Sequence, residues 1–288
     1  MAISNFIPTL WAGELLASLK KSAVYTQAGV INRNYEGMIR QMGDTVKITS
    51  IGAITLKDYT VNTDMDSPET LTDATRSLTI DQQKYFGFQI DDVDAAQVAN
   101  AGNLRMEAMA EAAYAIRDAQ DQFVAALYTE ADSGNLIGST AAPKTDLGTA
   151  GKPYDYLVDL SILLDEANVP SEQRWVVVPP WFHGLLLKDS RFVSTGSAQA
   201  ESRLANAMIG AAAGFTVLKS NNVPNTTSAK YRILAGHPMA ITYADQLGKI
   251  EAYRMEKRFA DAIKGLYLWG AKVVRPTALA VLTADQPA

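Results

Sequence analysis

The chain has 288 residues, 48% of them hydrophobic and 20% charged, with a formal net charge of -5. That length can bury a full core as one large domain or two smaller ones, and the acidic balance excludes a dedicated nucleic-acid binder, which needs a basic excess to neutralise phosphates. With no cysteine present, disulfides, thiolate metal sites and a cysteine nucleophile are excluded as well.

No positive charge precedes the stretch Phe6 to Leu19, and Glu14 interrupts it, so it does not read as a signal peptide. Thr9 to Lys21 instead reads as a short amphipathic helix. Trp11, Leu15, Leu16 and Leu19 share one face, and Lys20 and Lys21 suit its C-terminal end. Tyr25 to Gly43 is polar and weakly periodic, so this helix has little local partner and is marginal alone. Residues 1 to about 40 are therefore expected to form an arm that packs on something distant or on another copy.

Strands follow. Val46 and Ile48, then Ile54 and Leu56, alternate with polar residues, and Gly52 between them marks a bend. Val61 to Thr70 is turn-rich and suits an exposed tip. Leu78 and Ile80, then Phe86, Phe88 and Ile90, form a returning run, which predicts one long ribbon over Val46 to Ile90. A ribbon of this kind buries one thin face and is barely stable without a neighbouring surface, for which another subunit is the candidate.

The longest helical pattern runs from about Val93 to Ala131. Ala108, Met109, Ala112, Ile116, Ala119, Phe123 and Leu127 recur on one face, with Glu107, Glu111, Arg117, Asp118 and Asp121 on the others. Gly102 and Asn103 weaken its start. Ser133 to Lys152 reads as a loop, and Pro153 opens a helix carrying Leu157, Leu160 and Leu164 on one face. Trp175 to Val178 is predicted to be a buried strand stopped by Pro179 and Pro180. Helices are expected at Trp181 to Lys188 and Ala200 to Ile209, and strands at Phe215 to Leu218, Tyr231 to Leu234 and Met239 to Tyr243. The β-rich end covers Ile250 to Glu256 and Gly265 to Leu282. The apolar run Ala205 to Leu218 is too short and glycine-rich to span a bilayer.

The pattern offers no chemistry. His183 and His237 lie far apart, and His237 in Gly236-His237-Pro238 reads as a turn histidine. No Gly-x-Ser-x-Gly elbow occurs, and Gly148 to Pro153 lacks the spacing of a phosphate loop. Asp91, Asp92 and Asp94 suit a helix N-terminus without any metal. Arg254, Lys257 and Arg258 interleave with Glu251 and Glu256, as on a solvated strand face. Gly210 and Gly214 read as a turn into a strand. No catalytic residue, cofactor site, metal site or membrane contact is expected.

Three blocks carry a family resemblance. They are Phe6-Ile-Pro-Thr-Leu-Trp11-Ala-Gly-Glu-Leu15-Leu; Arg174-Trp-Val-Val-Val-Pro179-Pro-Trp-Phe-His-Gly-Leu185-Leu, continued by Asp189-Ser-Arg-Phe192 and Ile209 to Pro224; and Ile250-Glu-Ala-Tyr-Arg254-Met-Glu-Lys-Arg-Phe259-Ala-Asp261, continued by Gly265 to Pro276. In order and spacing the chain resembles tailed-phage major capsid proteins of the HK97-type fold, in the branch close to P22-like coat proteins. The resemblance implies an α+β fold with an N-terminal arm (1–44), an extended β-loop (45–91) and a peripheral domain with a spine helix (92–152). An axial domain (153–247) and a return to the peripheral domain (248–288) complete it, with no inserted axial domain.

The implied function is self-assembly, as hexamers and pentamers, into an icosahedral head. That head encloses double-stranded DNA held non-specifically, with scaffolding, portal and decoration proteins as further partners. Contacts between subunits are then expected at Trp11, Leu15, Leu16 and Leu19 of the arm and at Tyr59, Asp64, Asp66 and Glu69 of the ribbon, with Gly43, Gly52 and Gly102 as hinges. Deleting residues 1 to 24 should abolish shells and leave a folded monomer. Lys57 is the ribbon lysine that a covalent lysine–asparagine crosslink would use, and subunits without such a crosslink are the expectation. The rival readings are an encapsulin-type shell carrying protein cargo, a carbohydrate- or protein-binding α+β module and, weakest, an enzyme.

Overall fold

The computed structural model describes residues 21, 23–34, 45–51, 56, 58, 61, 64, 73–92, 101–189, 191 and 210–287. The expected helices before Lys21 and at Ala200 to Ile209 lie outside these residues, as do Gly43, Gly52 and Lys57. The described chain begins with strands β1 (Thr45–Ile51), β2 (Asp73–Thr79) and β3 (Gln82–Asp91). Helix α1 (Ala101–Ala126) follows and tightens into a 3-10 turn at Leu127–Glu130, ahead of the short strand β4 (Leu136–Ile137). Next come α2 (Lys152–Glu166), β5 (Trp175–Val178) and α3 (Pro180–Lys188), then β6 (Ala211–Ala212), β7 (Phe215–Lys219) and β8 (Tyr231–Gly236). The two longest strands, β9 (Ile241–Arg254) and β10 (Ala260–Val273), precede β11 (Leu279–Ala284).

Strand β5 shows how sequence sets position. Four consecutive apolar residues, three of them β-branched, put side chains on both faces of a strand, so both faces need cover. All four are buried, and β5 lies inside a sheet of order β4-β11-β8-β5-β7-β6, parallel to β7 and antiparallel to β8. Helix α2 packs against β11 of this sheet, with Leu157, Leu160 and Leu164 wholly inaccessible. Both α2 and α3 carry proline in the first turn, where the missing N–H has no helical partner to lose. Ala213 and Gly214 turn β6 into β7 with φ of 50° and 82°, the left-handed pair that a two-residue hairpin of this twist requires.

A second sheet, of order β3-β10-β9, corrects the sequence reading twice. The run Leu78 to Ile90 does not return along β1 as one ribbon. Strand β2 pairs antiparallel with β1, from Thr45 opposite Thr79 to Ile51 opposite Asp73, whereas β3 pairs with β10. Alternation identifies a half-buried strand but is silent about its partner. The crossing between the two sheets is very tight. A Cβ on Gly270 would collide with the Thr79 carbonyl oxygen, so only glycine lets the ribbon base pass over β10.

The second correction concerns β9, which runs unbroken where two strands were expected. Leu247 faces Tyr267 and Lys249 faces Leu266, which leaves Gly248 as the bulged residue. One extra residue bends the strand without ending the ladder.

The expected arm is also partly intramolecular. Val24, Tyr25, Val30 and Ile31 join the main core. Asn32 bridges the edge of β9, its N–H donating to the Ile241 carbonyl and its own carbonyl accepting from the Tyr243 N–H, each at 2.9 Å. That core also takes in the C-terminal end of α1, α2, the six-stranded sheet and the inner ends of β9 and β10. A small separate cluster (Leu78, Ile80, Ala244 and Leu268, with Val46 and Ile48 against it) seats the ribbon base on one face of the second sheet.

Candidate assembly surfaces

Asp121 holds the arm loop to the body. The periodicity of α1 places it three and four residues before Val124 and Ala125, both inaccessible, and Asp121 is inaccessible too. This corrects the expectation that it faces away from the core. Its Oδ1 accepts from the backbone N–H of Val24 at 2.8 Å, Tyr25 at 2.7 Å and Thr26 at 3.3 Å. Its Oδ2 accepts from Asn222 Nδ2 at 2.9 Å. Asn222 also donates to Asp118 and accepts from Lys21 Nζ. One buried carboxylate thus gathers the arm loop, α1 and the turn after β7. Burial pushes its carboxyl up, against hydrogen bonds from Asn222 and the arm amides that hold it down.

Two further carboxylates tie α1 and the arm loop to the second sheet. Asp245 Oδ2 accepts from the Tyr243 and Tyr267 hydroxyls at 3.2 and 3.1 Å, and Arg33 lies 3.5 Å from its Oδ1. Both tyrosine pKa values are pushed up, first by burial and then by Asp245. Glu130 accepts from Lys272 Nζ at 2.6 Å and from the Val273 N–H at 3.3 Å.

Away from these knots the packing thins. Alternation along β10 puts Gly265 and Tyr267 on one face of the second sheet and Leu266 and Leu268 on the other. On the first face Phe86 and Ile250, both opposite Gly265, meet α1 across a cleft of about 380 Å³ that Met109, Ile116 and Gln120 also line. On the second face the ribbon base covers Leu268, but its neighbour Leu266 is 38% exposed and Tyr85, opposite Leu266, is 83% exposed. Phe259, in the turn from β9 to β10, is 79% exposed. Arg254 pairs there with Asp92 and Asp261, and Lys264 with Glu251 at 3.0 Å.

Of the residues expected at subunit contacts, Trp11, Leu15, Leu16, Leu19, Tyr59, Asp66 and Glu69 lie outside the described residues, and Asp64 is exposed. The ribbon also exposes Leu56 at 94% and Val61 at 74%. His237 Nδ1 accepts from the Met239 N–H at 3.1 Å within its turn, and burial lowers the pKa of both His237 and His183. Asp92 pairs with Arg254, and the described residues hold no group of carboxylates or histidines suited to a metal ion. No described helix is long and apolar enough to cross a membrane.

Known proteins share this architecture. A family model described as phage capsid protein matches residues 74–282. A solved structure from Mycobacterium phage Che8 is 30% identical, covers 98% of this chain and 98% of its own, and superposes with a TM-score of 0.76. The capsid structure of Cyanophage P-SCSP1u gives 0.74 at 17% identity, covering 99% and 94%. The SrpI encapsulin complex from Synechococcus elongatus PCC 7942 gives 0.56 at 12% identity, covering 95% and 94%. No curated protein matches the chain in sequence. The family match across most of the chain and the full-length Che8 likeness agree with the two-sheet, long-helix architecture: the chain belongs to the phage capsid protein family and is a tailed-phage major capsid protein of the HK97-type fold.

Proposed function

We propose that the chain assembles as hexamers and pentamers into the icosahedral head of a tailed phage, closed around double-stranded DNA. The observation that carries this reading is the contrast within one capsid-family chain between a saturated core and large apolar side chains left in water. Leu56 and Val61 of the ribbon, Tyr85 of β3 and Phe259 of the β9–β10 turn are each at least 74% exposed, and assembly would give such side chains the apolar cover that the single chain does not supply. The net charge of -5 fits a wall that confines DNA non-specifically, without neutralising its phosphates. The protein has no catalytic role in this reading; it is made in the host cytoplasm and meets scaffolding, portal and decoration proteins during assembly.

The working division is an arm (1–44), an extended β-loop (45–91) whose last strand, β3, is built into the second sheet, a peripheral domain with the spine helix (92–152), an axial domain (153–247) and a return to the peripheral domain (248–288). Trp11, Leu15, Leu16 and Leu19 of the arm bury on a neighbouring subunit, as do Tyr59, Asp64, Asp66 and Glu69 of the ribbon. Deleting residues 1 to 20 tests the arm and spares Lys21 and Val24, which the Asp121 clamp uses. The shortened chain should stay folded and form no shells.

Electron microscopy of the purified full-length chain is the deciding experiment. Closed icosahedral particles holding nuclease-protected DNA are expected. Closed shells loaded with protein and free of DNA would support the encapsulin-type reading, and a monodisperse small species would overturn both.

A further inference from the structure

The arm loop and the turn after β7 meet at two groups that can react with each other. Lys21 Nζ lies 3.2 Å from Asn222 Oδ1, which puts the amine no more than about 4.4 Å from the amide carbon, given a C=O length of about 1.2 Å. Both partners are held in place. The Lys21 N–H donates to the Tyr114 hydroxyl of α1 at 3.1 Å. The Asn222 N–H donates to Ser220 Oγ at 3.0 Å, and the Ser220 N–H to the Val178 carbonyl of β5 at 3.0 Å. Asn222 is 8% exposed, so little water reaches its amide to compete.

Two carboxylates flank the pair. Asp118 Oδ1 accepts from Asn222 Nδ2 at 2.8 Å and lies 3.7 Å from Lys21 Nζ, so it spans the amine and the amide nitrogen. Asp121, wholly inaccessible, accepts at Oδ2 from the same Nδ2 at 2.9 Å. Burial raises its pKa, which favours a carboxyl that holds a proton. An amine, a carbonyl carbon, a base for the amine and an acid beside the leaving nitrogen are the parts that an acyl transfer needs.

We propose that Lys21 and Asn222 of one chain join spontaneously in an isopeptide bond that staples the arm loop to the turn after β7. Asp118 takes a proton from the Lys21 ammonium, and the freed lone pair of Nζ forms the bond to Asn222 Cγ while the carbonyl π pair moves onto Oδ1. In the tetrahedral intermediate Nδ2 has a lone pair and accepts the Asp121 proton. A second Nζ proton returns to Asp121 as the carbonyl re-forms, and the Cγ–Nδ2 bond breaks with its electron pair on nitrogen. Ammonia departs and carries off the proton held by Asp118, as ammonium. The new amide keeps one N–H, nothing is oxidised or reduced, and no co-reactant is needed. Lys21 and Asn222 stand 201 positions apart, so the bond closes most of the chain into a loop and takes entropy from the unfolded state. It lies within one subunit and goes beyond the shell reading, on which it does not depend.

Mass spectrometry of the purified full-length protein tests it. The denatured wild-type chain should be lighter than its sequence by one ammonia, and trypsin should release residues 21–33 joined to residues 220–230. Lys21→Arg and Asn222→Ala should each keep their full mass, give no joined peptide and unfold at a lower denaturant concentration than the wild type. Asp121→Asn keeps the shape of the side chain but removes the acid, and should lower the joined fraction at least about tenfold at matched times. Asp118→Asn, on the more exposed side, should do the same and serves if the buried variant fails to fold. A wild-type chain at full mass, its two peptides still separate after prolonged incubation, overturns the bond and leaves a hydrogen-bonded anchor. Loss of ammonia without the joined peptide marks succinimide closure at an asparagine and overturns it equally. Either result leaves the shell reading in place.

Discussion

The two halves of α1 are built to different standards. Gln120, Asp121, Val124 and Ala125 lie at 5% exposure or less, amid the arm loop, α2 and the six-stranded sheet. From Met106 to Ala119 no residue of the same helix is buried, and Met106 is 66% exposed. Both halves have apolar residues at helical spacing, so periodicity does not separate them. The difference is that the inner half finds its cover within the chain and the outer half does not. Stability should therefore concentrate at the inner end, and assembly should depend on the outer end.

The largest effect on folding should come from the inner core. Leu160→Ala removes a fully inaccessible side chain beneath the six-stranded sheet, and truncations of that kind cost about 2–5 kcal/mol. Denaturant unfolding of the unassembled subunit measures it; a loss below about 1 kcal/mol would mean that the inner end is not where stability resides. Asp121→Ala comes next. It strands three arm amides and removes one of the two carboxylates that accept from Asn222, a loss of about 2–3 kcal/mol. Trypsin should then cut after Arg33 faster than in the wild type, as the arm loop lifts away. Unchanged cleavage would show that Val24, Tyr25, Val30 and Ile31 hold the loop without the clamp.

These sites also show how far the sequence could be read. The β5 run, the leucine face of α2 and the prolines opening α2 and α3 depend on neighbours a few residues away, and they are legible. The partner of β3 and the continuity of β9 depend on which strands meet in space, which alternation cannot encode. In the sequence Asp121 reads as a solvent-face residue, because an aspartate on a helix is usually solvated. Its phase with Val124 and Ala125 pointed inward, but the donors that make burial tolerable come from residues 24–26 and 222, distant along the chain. Of the expected contact residues, Asp64 alone lies among those described, where it is exposed.

Gly270→Ala probes the junction between the two halves. The added methyl would overlap the Thr79 carbonyl and crowd the Ile80 Cα, and strain of that kind costs about 1–3 kcal/mol. Because the ribbon base is what must shift, shell yield should fall further than stability alone accounts for. Equal shell yield at reduced stability would show that the ribbon's direction is immaterial to assembly. Farther out, Tyr85→Ser should leave the subunit's melting midpoint nearly in place, since this side chain is 83% exposed, and should reduce particle yield. A lowered midpoint with normal particles would reverse the contrast between the two ends.

The smallest effect on the subunit should come from the ion pairs at the sheet's outer end. Arg254 donates to Asp92 and Asp261 with roughly half of each side chain exposed, where water and salt screen the attraction. Arg254→Gln should therefore move the neutral-pH midpoint very little, and less still in high salt. The hydrogen bond from Arg254 holds the Asp92 carboxyl below the usual carboxylate range. A carboxyl lowered by folding contributes stability above its unfolded pKa of about 4 and loses it as pH falls through the lowered value. Wild type and variant should thus differ slightly at neutral pH and converge in acid. A large difference that persists in salt would make this end as self-sufficient as the core, and the exposed apolar residues beside it would then need an explanation other than a neighbouring subunit.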